Sequence, residues 1–318
     1  MERRFLDFME LAPRSGKPRT RGLTTVVEQG HAITWLREML EMWGEYVDTA
    51  KLTPNSLHAP WNSVEKKVKL YRDHKVGVGA DDPIFAIAYY QGKADQLLRT
   101  LQELGFTNVQ IDTQHINLGE GGNPKKARED ELRYMAMARE LGFTIDGEVG
   151  LKTPEGDLAR AGNGLLNVEA IVAEMQRLLG TGCEHVYLES RVIRDAIGDY
   201  GEREAGTEQI RRIVKAVGQD KVFIEITGQL PFDTRMCHRF WAVRNFGPEV
   251  NMGGGGSIDE VRYIEAIRRG NTFVNGPSRS TSKLWIKSLA KNQGKAAEEW
   301  WKEEYPIDPS LPKARSSE

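Results

Sequence analysis

Eight short runs of apolar and β-branched residues, each ending in polar or glycine residues, recur along the chain. They are LTTVVEQG from Leu23, YVDTAKL from Tyr46, KVGVGA from Lys75, NVQIDTQ from Asn108, FTIDGEVG from Phe143, HVYLESR from His185, KVFIEITG from Lys221 and EVNMGGGG from Glu249. Runs of this length and composition, bounded by breakers, read as buried strands. Stretches with helical spacing lie between them. ITWLREMLEMWG sets Ile33, Leu36, Met39 and Leu40 on one stripe, and KADQLLRTLQELG does the same with Leu97, Leu98, Leu101 and Leu104. Gly44, Gly105, Gly142 and Gly182 follow such stretches, where a helix C-cap is expected. Strands alternating with crossover helices at intervals of roughly 25 to 40 residues predict an α/β fold of the parallel (β/α)8 TIM-barrel type. An open doubly wound sheet would more often carry a glycine-rich phosphate loop after its first strand, and VVEQGHAITW has only Gly30 there.

The barrel is expected over residues 21–274, after an N-terminal segment, 1–20. From 275 to 318 the strand pattern stops and a C-terminal helical extension with a polar tail is expected. Its tryptophans, Trp285, Trp300 and Trp301, suit packing on the barrel or on a second copy, so a homo-oligomer is the expectation. With 44 basic and 46 acidic residues the net charge is −2, and the basic residues are scattered among acids, which argues against a nucleic-acid partner. The two cysteines, Cys183 and Cys237, have no metal or redox spacing, and no run approaches the ~18 apolar residues of a membrane span. A cytoplasmic protein without a membrane association is expected.

In such a barrel the chemistry sits at the C-terminal ends of the strands. The residues assigned there are Lys51, Asp112, Thr113, His115, Glu148, Lys152, Glu189, Arg191, Glu225 and Asn251. Glu148, Glu189 and Glu225 each end an apolar run, where an unpaired buried carboxylate is costly and three would repel one another. A hard divalent cation such as Mg2+ relieves that repulsion, so these three are the candidate metal ligands. The competing reading pairs them with Lys51, Lys152 and Arg191 in a structural salt-bridge layer. Three acids with three bases suit a metal ion beside an anionic substrate, with Lys152 as the proton carrier and His115 as a wall residue. The four glycines at 253 to 256 follow the last strand, where barrels favour a phosphate loop, which makes Gly254 and Gly255 candidate substrate contacts. The remaining histidines have no zinc-ligand spacing.

In this order, GLTTVVEQG, YVDTAKL, EVGLK, YLESR, FIEI and FGPEVNMG resemble the phosphosulfolactate synthase family, whose members read GLT-V-DKG, YID-VKLGWGT, EVGKK, IIEAR, IFEAP and FGPNVNLG. The resemblance spans about Pro13 to Val274. It implies a (β/α)8 lyase that adds sulfite to phosphoenolpyruvate with Mg2+, giving phosphosulfolactate on the way to coenzyme M. It also implies site roles for Lys51, Glu148, Lys152, Glu189, Arg191, Glu225 and Asn251, with Lys51 and Arg191 binding phosphate or orienting sulfite. The chain departs from the pattern at Thr53–Ser56, at Asp81 and Asp82, at Leu151 and at QIDTQH, residues 110 to 115. Those departures keep open a related lyase or isomerase acting on another enol phosphate or carboxylate. Plant heat-stress proteins resemble the same family without an evident need for its product, so a non-catalytic role is the third reading.

Overall fold

The structure, a computed structural model, describes residues 4–111, 123–150, 165–254, 256–270 and 291. Its strands are β1 (Thr25–Glu28), β2 (Thr49–Leu52), β3 (Gly77–Ala80), β4 (Asn108–Gln110), β5 (Thr144–Val149), β6 (His185–Leu188), β7 (Val222–Glu225) and β8 (Asn251–Gly253). The helices are α1 (Ile33–Trp43), α2 (Pro54–Leu57), α3 (Trp61–Asp73), α4 (Asp82–Tyr90), α5 (Ala94–Glu103), α6 (Pro124–Glu140), α7 (Val168–Gly180), α8 (Ser190–Ile197), α9 (Glu204–Val217), α10 (Phe232–Phe246) and α11 (Val261–Arg268). All strand pairs are parallel and follow sequence order from β1 to β8. Met252 N donates to Leu23 O at 2.9 Å and bridges Thr24, which brings the last strand against the first. The expected (β/α)8 barrel is therefore observed.

Each run became a strand for the reason its composition gave: one face packs on helices. Val26, Ala50, Leu52, Val78, Val109, Ile145, Val186 and Ile224 join Leu36, Leu40, Leu98 and Leu101 of the two striped helices in the main core. Gly105, Gly142 and Gly182 adopt φ of 84°, 86° and 101°, as helix-ending glycines do. Gly44 differs, with φ −57°, because the chain runs straight on into a 3-10 turn over Gly44–Tyr46.

The other face of the strands points into the barrel. The register aligns Lys51 with Gly79, Gly79 with Asn108, Gln110 with Asp146, Asp146 with His185, Glu148 with Tyr187, Tyr187 with Phe223 and Glu225 with Gly253. Barrels of this kind are normally filled by bulky branched side chains. Here the interior is polar and glycine-rich, with a small apolar cluster of Leu23, Tyr187 and Phe223. Two hollows result, about 690 Å3 at the C-terminal mouth and about 630 Å3 at the N-terminal mouth. The lower one is bordered by Lys17, Pro18, Arg19 and Thr20 of the N-terminal segment. The extension from 275 onward, with its three tryptophans, lies outside the described residues apart from Lys291. Among the described residues no helix is long and apolar enough to cross a membrane.

Candidate active site

The cavity at the C-terminal mouth gathers Lys51 from β2, Asp81 after β3, Glu148 from β5, Glu189 and Arg191 after β6, Glu225 from β7 and Gly254 after β8. Residues separated by up to two hundred positions thus share one wall, because each sits at the same end of a parallel strand.

Lys51 forms the floor. Its Nζ donates to Gln110 Oε1 at 2.8 Å and lies 4.0 Å from the centroid of the Tyr187 ring. That ring is fixed in turn, stacked on Phe223 at 4.5 Å and 7°, with its hydroxyl 2.9 Å from Thr25 Oγ1. Burial works to lower the Lys51 pKa, but Tyr187, Asp81, Glu148 and Glu225 together hold it above the ordinary lysine value. The ammonium is therefore charged throughout the physiological range.

The acids surround it. Glu225 Oε2 accepts from Ser190 N at 2.9 Å, and burial followed by the like charge of Glu148 pushes its carboxyl up to about 8. Glu189 is buried at the N-terminus of α8, with Arg191 Nε 3.6 Å away on a side chain that is 64% exposed. Asp81 is raised by burial, an effect Lys51 offsets and Asp82 reinforces. Two glycines make room for these carboxylates. A Cβ on Gly150 would lie 2.1 Å from Glu189 Oε2, and one on Gly254 would lie 2.1 Å from Glu225 Cγ. Gly254 also has φ +92°, so a side chain there is both strained and obstructed. Its place is beside the half-buried Glu225, which adds a steric role to the phosphate contact expected of it.

Asn251 does not belong to the site. It is the first residue of β8, at the opposite end of the barrel, and fully buried. Its Oδ1 accepts from Leu23 N at 2.9 Å and its Nδ2 donates to Asp220 O at 2.9 Å, so it ties β1 and the α9–β7 turn together beneath the barrel. Lys152, His115, Gly255, Asp112 and Thr113 lie outside the described residues. Sequence reasoning passed over Gln110 and Tyr187, which hold the floor lysine. Their signal was the strand register, because neutral residues inside a strand show their role only once the alternation is fixed.

Among the described residues no group of three or more histidine, cysteine, aspartate or glutamate side chains is close enough to chelate a metal ion. The three glutamates share the cavity without forming a direct tridentate set. Their chemistry still fits a hard cation held partly through water: the donors are oxygens, and Glu225 is raised by a neighbouring carboxylate whose repulsion a cation would relieve.

Fold and site together define a (β/α)8 barrel with a charged pocket at its catalytic face. The profile of the (2R)-phospho-3-sulfolactate synthase (ComA) family matches residues 12–273, and the chain belongs to that family. It is similar to the phosphosulfolactate synthase of Methanothermobacter thermautotrophicus, 29% identical over 266 residues that cover 81% of this chain and 92% of the relative. A second phosphosulfolactate synthase, from Methanocaldococcus jannaschii, is 26% identical over 252 residues, covering 79% and 92%.

Proposed function

We propose that the protein is a lyase that joins sulfite to phosphoenolpyruvate, giving phosphosulfolactate. The observation that carries this reading is a buried, permanently charged Lys51 facing Glu148, Glu189 and Glu225 in one cavity, in a chain the family profile matches over residues 12–273. The sulfur lone pair forms a bond to the methylene carbon, the π pair of the double bond moves to the neighbouring carbon beside the carboxylate, and a proton completes that carbon. Lys152 is assigned the proton. Lys51 on the floor and Arg191 on the rim attract the two anionic reactants, with Arg191 suited to a two-pronged oxyanion contact.

The residues that would hold Mg2+ are Glu148, Glu189 and Glu225, partly through water. Bound there, the ion supplies positive charge to the carboxylate that takes up electrons in the transition state. A cytoplasmic location is part of the proposal, supported by two buried free cysteines. So is self-association through the C-terminal extension, which sizing of the full chain against a chain ending at Val274 tests.

Incubation with phosphoenolpyruvate, sulfite and Mg2+ should yield a sulfonated product by mass spectrometry, and Lys152→Ala should yield none. Asp81 and Asp82 at the start of α4 favour a second reading, a related lyase on another enol carboxylate, because their carboxylates repel a phosphate there. Absence of product from metal-loaded protein would shift the assignment to it.

A further inference from the structure

Lys51 is unusual in how its charge is held. Among the described residues no carboxylate comes within 4.0 Å of its Nζ; its company is the amide oxygen of Gln110 at 2.8 Å and the face of Tyr187 at 4.0 Å. An amide and a π face stabilise a cation without cancelling it. Gln110 is 5% exposed, and among the described residues its buried Nε2 has no hydrogen-bond partner. A buried orphan donor is costly, so the amide is kept for what its oxygen does, which is to hold Lys51 Nζ. Lys51 lines the cavity at the barrel mouth, and Gln110, outside that lining, holds its ammonium from behind.

We propose that Gln110 is a positioning residue that keeps the Lys51 ammonium un-neutralised, so that Lys51 seats the sulfite ion at the cavity floor. This rests on the lyase reading and deepens it. Sulfite is pyramidal, with its lone pair opposite its three oxygens. Held from below by its oxygens, it presents that lone pair toward the mouth, where phosphoenolpyruvate enters. The larger phosphate is left to the rim, where Arg191 and Arg194 line the same cavity. A glutamate at position 110 would instead close a buried ion pair on Lys51 and remove the seat.

The test is the kinetics of Gln110→Glu and Gln110→Met, with thermal melting to confirm folding; if the glutamate variant does not fold, the methionine variant carries the test. In Gln110→Glu the KM for sulfite should rise about ten-fold or more, a change on the order of one lost charged contact, while the KM for phosphoenolpyruvate stays within about two-fold. Gln110→Met should shift the sulfite KM in the same direction by less. A rise in the phosphoenolpyruvate KM instead, or no shift in either, overturns the proposal. Titration calorimetry with sulfite, with and without Mg2+, separates the seat from the reaction. Sulfite binding lost in Gln110→Glu from a protein that forms no product would keep the seat and sink the lyase reading. Product formation with an unchanged sulfite KM would do the reverse, and sulfite binding in neither protein, without product, removes both.

Discussion

At the N-terminal mouth of the barrel, Arg14 reaches Glu249 and Glu265, each at 2.9 Å, Ser15 Oγ donates to Glu249 at 2.7 Å, Arg19 lies 3.2 Å from Asp48, and Lys17 donates to the carbonyl of Gly44. At the C-terminal mouth, Lys51 rests on an amide and a ring, and Glu225 is pressed by Glu148 while accepting one backbone N–H. The hollows are similar in size and both are lined by charge. They differ in bookkeeping: below, Arg14, Lys17 and Arg19 each reach an acid or a carbonyl, whereas above, the carboxylates of Glu148 and Glu225 crowd one another. Matched buried charges fix the chain, while unmatched ones are what a site for an ion and an anionic substrate requires.

The contrast breaks first under metal removal. If the crowded acids await a cation, exhaustive chelation should abolish product formation and added Mg2+ should restore it, with residual turnover in chelator arguing that the acids serve another purpose. Lys51→Met should lower kcat/KM by roughly 10²–10³, the usual range for losing one preorganised charge at a reacting centre. The same change should move stability less than activity, because among the described residues no carboxylate lies within 4.0 Å of Lys51 Nζ, although Asp81 and Glu225 lose an offsetting charge. Arg14→Ala should show the opposite profile, losing on the order of 3 kcal/mol of stability by stranding Glu249 and Glu265. Activity per folded molecule should be kept, as measured by urea unfolding alongside active-site titration. A variant at either mouth that moved both properties equally would erase the distinction.

The upper mouth was more legible in the sequence than the lower. Every strand announced itself through β-branched runs, and the rule that chemistry follows the strand ends picked out Lys51, Glu148, Glu189 and Glu225 without any contact information. Asn251 was misplaced by the same rule. The run EVNMGGGG begins only two residues before β8, so what reads as a strand end is the strand's start, and the side chain serves the lower mouth. Strand four likewise ends at Gln110, short of Asp112. The N-terminal segment gave no periodic signal. Its role depends on partners such as Glu249 and Glu265, more than two hundred residues away, which only the closed barrel brings under it. The steric roles of Gly150 and Gly254 were equally opaque, since the atoms they make room for come from Glu189, after β6, and from Glu225, in β7.

The smallest effect is also the one that compares the mouths within a single measurement. Each mouth carries a group shifted toward its uncharged form: burial and Glu148 raise Glu225 from 4.5 to about 8, and burial lowers Lys17 from 10.5 to about 8, with Asp48 offsetting and Arg19 and Lys75 adding to the fall. Between 4.5 and about 8 the folded protein keeps the Glu225 proton that the unfolded chain has released. Stability from this group is full below that window and is lost as pH rises through it, at no more than about 1.4 kcal/mol per pH unit. Between about 8 and 10.5 the folded protein has shed the Lys17 proton that the unfolded chain retains, so stability from Lys17 grows as pH rises and is lost as pH falls through about 8. In metal-free protein, melting temperatures across pH should therefore have a falling contribution that Glu225→Gln removes and a rising one that Lys17→Met removes. Saturating Mg2+ should flatten the first and leave the second, because a cation among the acids would favour the ionised carboxylate while Lys17 is at the far end of the barrel. Equal flattening of both would mean that the ion binds elsewhere than the upper mouth.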